Sequence, residues 1–225
     1  MKRVIGVTRF DRIVKRALDL SVSTVALAFV GPVIAVAAIC ARWSTGDSGF
    51  FRQARIGQHG RIFFVYKIRT MRDAPGVTTT ITTERDARIT RVGRVLRRWK
   101  IDELPQLVNV VRGQMSLVGP RPDVPEYLDR IRREAPLVLT VRPGVTGPAS
   151  IKYRREEELL ARQRDPQEYN DQVIFADKLR INEAYVRNYG LLKDVGYLWK
   201  TVAPVGTAAC CNHQHDFDDD VATAA

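Results

Sequence analysis

From Leu20 to Ala41 the chain carries no charged residue, and on either side of this run the apolar positions fall into shorter periodic patterns. At 1.5 Å per residue the run makes roughly 33 Å of helix, enough to cross a hydrocarbon core. Pro32, after Gly31, sits in its middle. An interior proline deletes a backbone hydrogen bond and clashes with the preceding turn, so a kink or break is expected there. Upstream, Phe10, Ile13, Val14, Ala17 and Leu18 recur at helical spacing and predict a short amphipathic helix over Arg9–Asp19, lying on a membrane surface. Basic residues flank both ends of the run, Lys15 and Arg16 before it and Arg42, Arg52 and Arg55 after it, so the positive-inside rule points to one side twice. A re-entrant hairpin satisfies both flanks. A straight span and a cleaved signal peptide are the alternatives; the long charged stretch from Lys2 to Asp19 opposes the second.

After Trp43 the pattern becomes that of an α/β domain, mostly α. Gly49–Gln53 and Ile62–Lys67 read as two short strands around a turn at Gly57–Gly60, a hairpin. Pro75–Arg88, rich in Thr and charge, has no usable period and reads as a loop that could cover a site. Leu104, Leu107, Val108 and Val111 predict a helix over Asp102–Arg112 with one buried face, Pro105 in its first turn and Gly113 closing it. Leu191, Leu192, Val195, Leu198, Trp199 and Val202 line one side of a last helix, for which core packing and docking on a membrane surface are both open. The expected layout is therefore an amphipathic helix and a re-entrant membrane helix over residues 1–42, one catalytic domain over 43–202, and a disordered tail over 203–225. The tail's Cys210, Cys211, His213 and His215 make a poor metal set, because adjacent cysteines give poor ligand geometry and no second cluster completes a fourfold site.

Charge sharpens this picture. With 36 Lys+Arg against 25 Asp+Glu, the net charge of +11 favours anionic partners: phosphates, nucleic acid or acidic headgroups. Three cysteines give no disulfide framework and suit a reducing compartment, so the domain is expected to be cytoplasmic. Within one of the most basic stretches stands an acidic pair, Asp102-Glu103. At a helix N-terminus the unpaired amides and the dipole would lower a carboxylate's pKa and keep Asp102 ionised, as a nucleophile requires; an ordinary acidic N-cap is the competing reading. Arg91, Arg94 and Arg97 share a helical face that leads into the pair. Arg121 in Gly119-Pro120-Arg121-Pro122 and Arg142 in Arg142-Pro143-Gly144 are framed by prolines, which suits bidentate phosphate binding, unless both merely bond loop carbonyls. Lys67 and Arg69 leave a strand end on alternate sides, so one of them should reach a site directly.

Taken in order, Lys15-Arg16-Ala17-Leu18-Asp19, the apolar run with its proline, Phe51-Arg52-Gln53, Tyr66-Lys67-Ile68-Arg69-Thr70-Met71, Arg94 to Pro105, Met115 to Pro122 and Arg142-Pro143-Gly144 resemble the bacterial sugar transferases, the monotopic phosphoglycosyl transferases. The likeness covers about Phe10 to Val202. Ile151-Lys152-Tyr153-Arg154 through Phe175-Ala176-Asp177-Lys178-Leu179 further resembles the small, single-domain members, and adds Asp177 to the substrate-binding candidates Lys67, Arg69, Arg97, Arg121 and Arg142. The resemblance implies transfer of a sugar phosphate from a UDP-sugar to polyprenyl phosphate at the cytoplasmic face of the inner membrane. By the same resemblance Asp102 is the nucleophile that forms an aspartyl-phosphosugar and releases UMP, and Glu103 helps bind Mg²⁺. Lipid, UDP-sugar and polyprenyl phosphate are then the partners; a homodimer is compatible with the sequence and nucleic acid is not expected. Members commonly carry Ser where this chain has Gly31, and a Ser hydroxyl could re-bond a carbonyl freed by Pro32. A membrane-tethered nucleic-acid-binding protein would account for the arginines but has no need of the acidic pair, and aromatics do not interleave with the basic cluster. A non-catalytic scaffold is the third reading.

Overall fold

The computed structural model describes residues 9–73 and 86–202. It is mostly helical, with two small two-stranded sheets and one long apolar helix at the N-terminal side. That helix, α1 (Arg9–Thr45), runs through Pro32 without interruption, so the two segments expected on either side of the proline are one element. Val22, Val25, Phe29, Val33 and Val36 form an exposed apolar stripe along it, and only 22% of its most apolar stretch is covered by the rest of the chain. Exposed apolar surface of this extent marks a non-aqueous partner.

The opposite face of α1 holds the rest of the chain at both ends. Near its start, Arg16 donates to the carbonyls of Val110 (2.6 Å) and Val111 (2.9 Å), Asp19 Oδ1 accepts from the Leu117 amide (3.0 Å), and Lys15 pairs with Asp194. Near its end, Ala37 and Ala41 pack with Ile68 and Leu96 and against Ile101. Small residues permit that approach: a Cβ on Gly49 would run into the carbonyl of Ala38. Lys15 and Arg16, which the sequence presented as membrane-flanking charges, are thus also clamps.

The expected hairpin is present as β1 (Phe50–Ile56) and β2 (Ile62–Ile68), antiparallel, with Phe51 opposite Lys67 and Arg55 opposite Phe63. The outer edge of β2 is capped by Asn109, whose Oδ1 accepts from the Tyr66 amide (3.1 Å) and whose Nδ2 donates to the Phe64 carbonyl (2.8 Å). This satisfies an edge that would otherwise be unpaired. A second, parallel pair joins β3 (Ser116–Val118) to β4 (Gly144–Thr146). Phe63, Val65, Val110, Met115, Leu117, Val118, Tyr185 and Val186 form the main core between these sheets and the helices α3 (Gln106–Val111) and α4 (Phe175–Arg187).

The helix α2 (Arg91–Arg98) is N-capped by Thr90, whose side chain accepts from the Gly93 amide, and is followed by Lys100 in the left-handed region at φ 55°. The helix expected over Asp102–Arg112 is divided: Ile101–Glu103 is a single 3-10 turn and α3 begins only at Gln106, with Pro105 as its N-cap residue. Proline removes an amide the helix would need before that point, and the reversal at Lys100 sets a separate corner for the acidic pair. In α5 (Leu191–Val202) the apolar side is divided. Leu198 and Tyr197 pack on the core, while Leu192 (88% exposed), Val195 and Trp199 face outward. Most of the Pro75–Arg88 loop and the tail with its Cys and His residues lie outside the described residues.

Candidate active site

Asp102 and Glu103 sit on the 3-10 turn between α2 and α3, with Ile101 anchored on α1 behind them. Glu103 Oε2 accepts from Arg121 Nη1 at 3.1 Å, and Oε1 accepts from both Arg121 Nη2 and Lys67 Nζ, the latter at 3.2 Å. Burial alone would push the Glu103 carboxyl up, but Arg121 and Lys67 outweigh it and hold it well below the usual carboxylate range. Asp102 is 8% exposed, and its Oδ1 has no hydrogen-bond partner. Burial, then the neighbouring Glu103 charge, push the Asp102 carboxyl up to about 6 against the pull of Lys67, Arg97 and Lys100. The expectation of a lowered pKa from a helix N-terminus is therefore overturned: the dipole available from one 3-10 turn is small, and desolvation beside a second carboxylate dominates.

Of the other candidates, Lys67 and Arg121 join the pair directly. Lys67 projects from β2, and Arg121 from the loop after β3. Arg97 contributes its charge to Asp102 while its guanidinium donates to Met71 Sδ (3.5 Å) and pairs with Glu157. Arg69 turns the other way, to the Ser48 carbonyl, Asp47 and Asp73. Arg142 donates to the Gly113 carbonyl at 2.9 Å, the loop-carbonyl role weighed for it. Asp177 is bound by Tyr153 (2.6 Å), Lys152 (2.9 Å) and Arg180 (3.1 Å). Gly31 and Pro32 remain within α1.

The arrangement offers one buried carboxylate with an unoccupied oxygen, one ionised carboxylate, and a guanidinium and an ammonium that both face it, a set suited to phosphate chemistry next to an apolar helix. A profile of bacterial sugar transferases matches residues 10–208. The chain belongs to the bacterial sugar transferase family. Its relatives include the exopolysaccharide production protein ExoY of Sinorhizobium fredii, 33% identical over 85% of this chain and 84% of that protein. A UDP-glucose:undecaprenyl-phosphate glucose-1-phosphate transferase of Escherichia coli is 32% identical over 85% of this chain and 40% of its own length. An undecaprenyl-phosphate glucose phosphotransferase of Komagataeibacter xylinus is 39% identical over 67% of this chain and 30% of that protein.

For this transferase the residue that sequence reasoning missed is Arg55, read there only as a basic flank. It lies beside the site, donating to the Pro122 carbonyl at 3.1 Å and to Gln53 Oε1 at 2.6 Å. The alternation of the hairpin places Gln53, Arg55 and Lys67 on one face, and that register was the available signal. As for magnesium, among the described residues no three His, Cys, Asp or Glu side chains gather as a cage. The donor set still fits, because magnesium takes most of its ligands from water and substrate phosphates and needs one or two carboxylates, and Asp102 Oδ1 is an unpartnered buried donor.

Proposed function

We propose that the protein is a phosphoglycosyl transferase that moves a sugar-1-phosphate from a UDP-sugar to polyprenyl phosphate, as the names of its undecaprenyl-phosphate-dependent relatives suggest. The observation that carries this is the unequal pair: Asp102 buried with an unpartnered oxygen, next to Glu103 held ionised by Arg121 and Lys67. In this reading the Asp102 carboxylate attacks the β-phosphorus of the donor, the bond from that phosphorus to the bridging oxygen breaks, and UMP leaves with the electron pair. An oxygen of the lipid phosphate then attacks the aspartyl-phosphosugar and restores Asp102. Arg121 and Lys67 offset the charge of the diphosphate that would otherwise repel a carboxylate nucleophile. Magnesium, bound through Glu103 or Asp102 together with the phosphates, would add a hard cation to that neutralisation.

The position of α1 supports action at a bilayer. Its two ends dock on the same domain, through Arg16 and Asp19 at one end and Ala41 at the other, while the Val22 to Val36 stripe faces away. Both ends of α1 touch one domain, which opposes a straight span, and the basic flanks at both ends of the apolar run favour a re-entrant arrangement at the cytoplasmic face, although the helix runs on through Pro32. Cysteine labelling of Pro32→Leu, expected to show a helix end moved across the bilayer, tests it; unchanged labelling would count against a turn enforced by proline.

The reaction is tested by UMP release from a panel of UDP-sugars by detergent-solubilised protein with undecaprenyl phosphate and Mg²⁺. Release that requires the lipid and is absent in Asp102→Asn is the expected result. Substantial turnover by Asp102→Asn would remove Asp102 as nucleophile.

A further inference from the structure

Arg121 stands in a loop whose backbone is gripped from both sides. Ahead of it the Gly119 amide donates to the Thr146 carbonyl at 2.9 Å, and the Pro120 carbonyl accepts from the Gly144 amide at 2.8 Å. Behind it two consecutive residues of β1 take two consecutive carbonyls: Arg55 Nη1 donates to Pro122 at 3.1 Å and the Ile56 amide donates to Asp123 at 2.9 Å. The second terminal nitrogen of Arg55 donates to Gln53 Oε1 at 2.6 Å, so both bonded acceptors of this guanidinium are neutral. Arg55 is thus bonded to the carbonyl of the residue that follows Arg121, and burial, then the like charge of Arg121, lower its pKa against the pull of Asp123, Glu103 and Glu126.

The cost of a half-buried cation whose bonded acceptors are neutral is only partly offset by nearby carboxylates, and a structural strut to a carbonyl needs no charge. The cost has a use if the extra positive charge acts on its neighbour. We propose that Arg55 is a positioning residue for the transfer: it fixes the loop that aims the Arg121 fork at Glu103, and its charge keeps Arg121 ready to exchange that carboxylate for the phosphates of the nucleotide donor. Arg55 acts through Arg121 and does not itself touch the substrate, since the fork is committed to Pro122 and Gln53. This inference rests on the UDP-sugar reading.

The test is UDP binding by calorimetry to the full-length protein in detergent, for wild type, Arg55→Met, Arg55→Lys, Arg121→Met and the double variant, with thermal unfolding of each. Arg55→Met should weaken UDP binding about tenfold, the order expected for losing one well-placed charged group. Arg55→Lys, which keeps the charge but loses the planar fork, should fall between. In the Arg121→Met background the further change Arg55→Met should have no additional effect, because the group it positions is gone. Additive losses would overturn the proposal by making Arg55 a direct phosphate ligand. Unchanged UDP affinity in folded Arg55→Met would overturn it in favour of a purely structural strut. Wild type that binds no UDP would remove the donor reading itself, and this inference with it.

Discussion

Asp102 and Glu103, adjacent in the chain and on one 3-10 turn, are held in opposite electrostatic states: Glu103 is enclosed by Arg121 and Lys67, while Asp102 is buried with an unpartnered oxygen and a carboxyl pushed up to about 6. In the proposed reaction only the ionised form of Asp102 can attack. Transfer is therefore expected to fall as pH drops through about 6, with a slope of one proton, in a pH–rate profile of single-turnover UMP release. A rate that is flat from pH 5 to 8 would mean that no group of this kind controls the step.

The same raised pKa has a thermodynamic consequence. Asp102 has a folded value of about 6 against 3.8 for the ordinary carboxyl, so the folded state holds the proton more tightly. Its contribution to stability is present in full below the unfolded value and is lost as pH rises through the folded one. Asp102→Asn, neutral at every pH, should be more stable than wild type at pH 8 by about 1–3 kcal/mol. That advantage should vanish near pH 4. Denaturant unfolding at the two pH values measures it; an Asn variant less stable than wild type at pH 8 would show that the carboxylate makes a favourable contact not visible here.

Arg121→Met leaves Glu103 with Lys67 as its bonded cation. Its carboxyl should then rise toward and above the ordinary range, since burial becomes the dominant influence. The Arg121 side chain is 38% exposed, so water softens the loss, and a destabilisation of about 1–3 kcal/mol is expected. Transfer should fall by far more than stability does. A variant with near-normal turnover would exclude Arg121 from the phosphate site.

Gly49→Ala tests the docking of α1 on the hairpin. The added methyl meets the Ala38 backbone carbonyl, which cannot rotate away as a flexible side chain could. Overpacking of this kind costs about 1–3 kcal/mol, and here it would also shift the surface against which Ile101 is seated, one residue before Asp102. The expected outcome is a lower unfolding midpoint together with reduced transfer, recovered in part by Ala38→Gly only if the backbone there can give way.

The hairpin and the helical face of Arg91, Arg94 and Arg97 were legible in the sequence because each depends on local period, whereas the bonds of Lys67 and Arg121 to Glu103 join residues 36 and 18 positions apart and needed the fold. The division of the Asp102–Arg112 helix was not, since its apolar spacing continues across Pro105 while the backbone reversal depends on Lys100 at φ 55°, a residue type with no preference for that conformation. The sign of the Asp102 shift also escaped, because burial is a property of the assembled fold. Arg142 and Arg121 look alike in sequence, each framed by proline. Only the fold separates them, sending one to the Gly113 carbonyl and the other to Glu103.

The contacts of Arg16 set an order of assembly. The carbonyls of Val110 and Val111, at the end of α3, are satisfied by a side chain 94 and 95 positions earlier, and the Leu117 amide by Asp19, 98 positions earlier. During synthesis the apolar helix leaves the ribosome long before those backbone groups exist, so it can settle in lipid first and wait as a template. In the proposed membrane-bound arrangement the globular part then completes itself against a helix already in the bilayer. A version made without α1 would leave the Val111 carbonyl and the Leu117 amide without their Arg16 and Asp19 partners, and would be expected to remain unfinished in water.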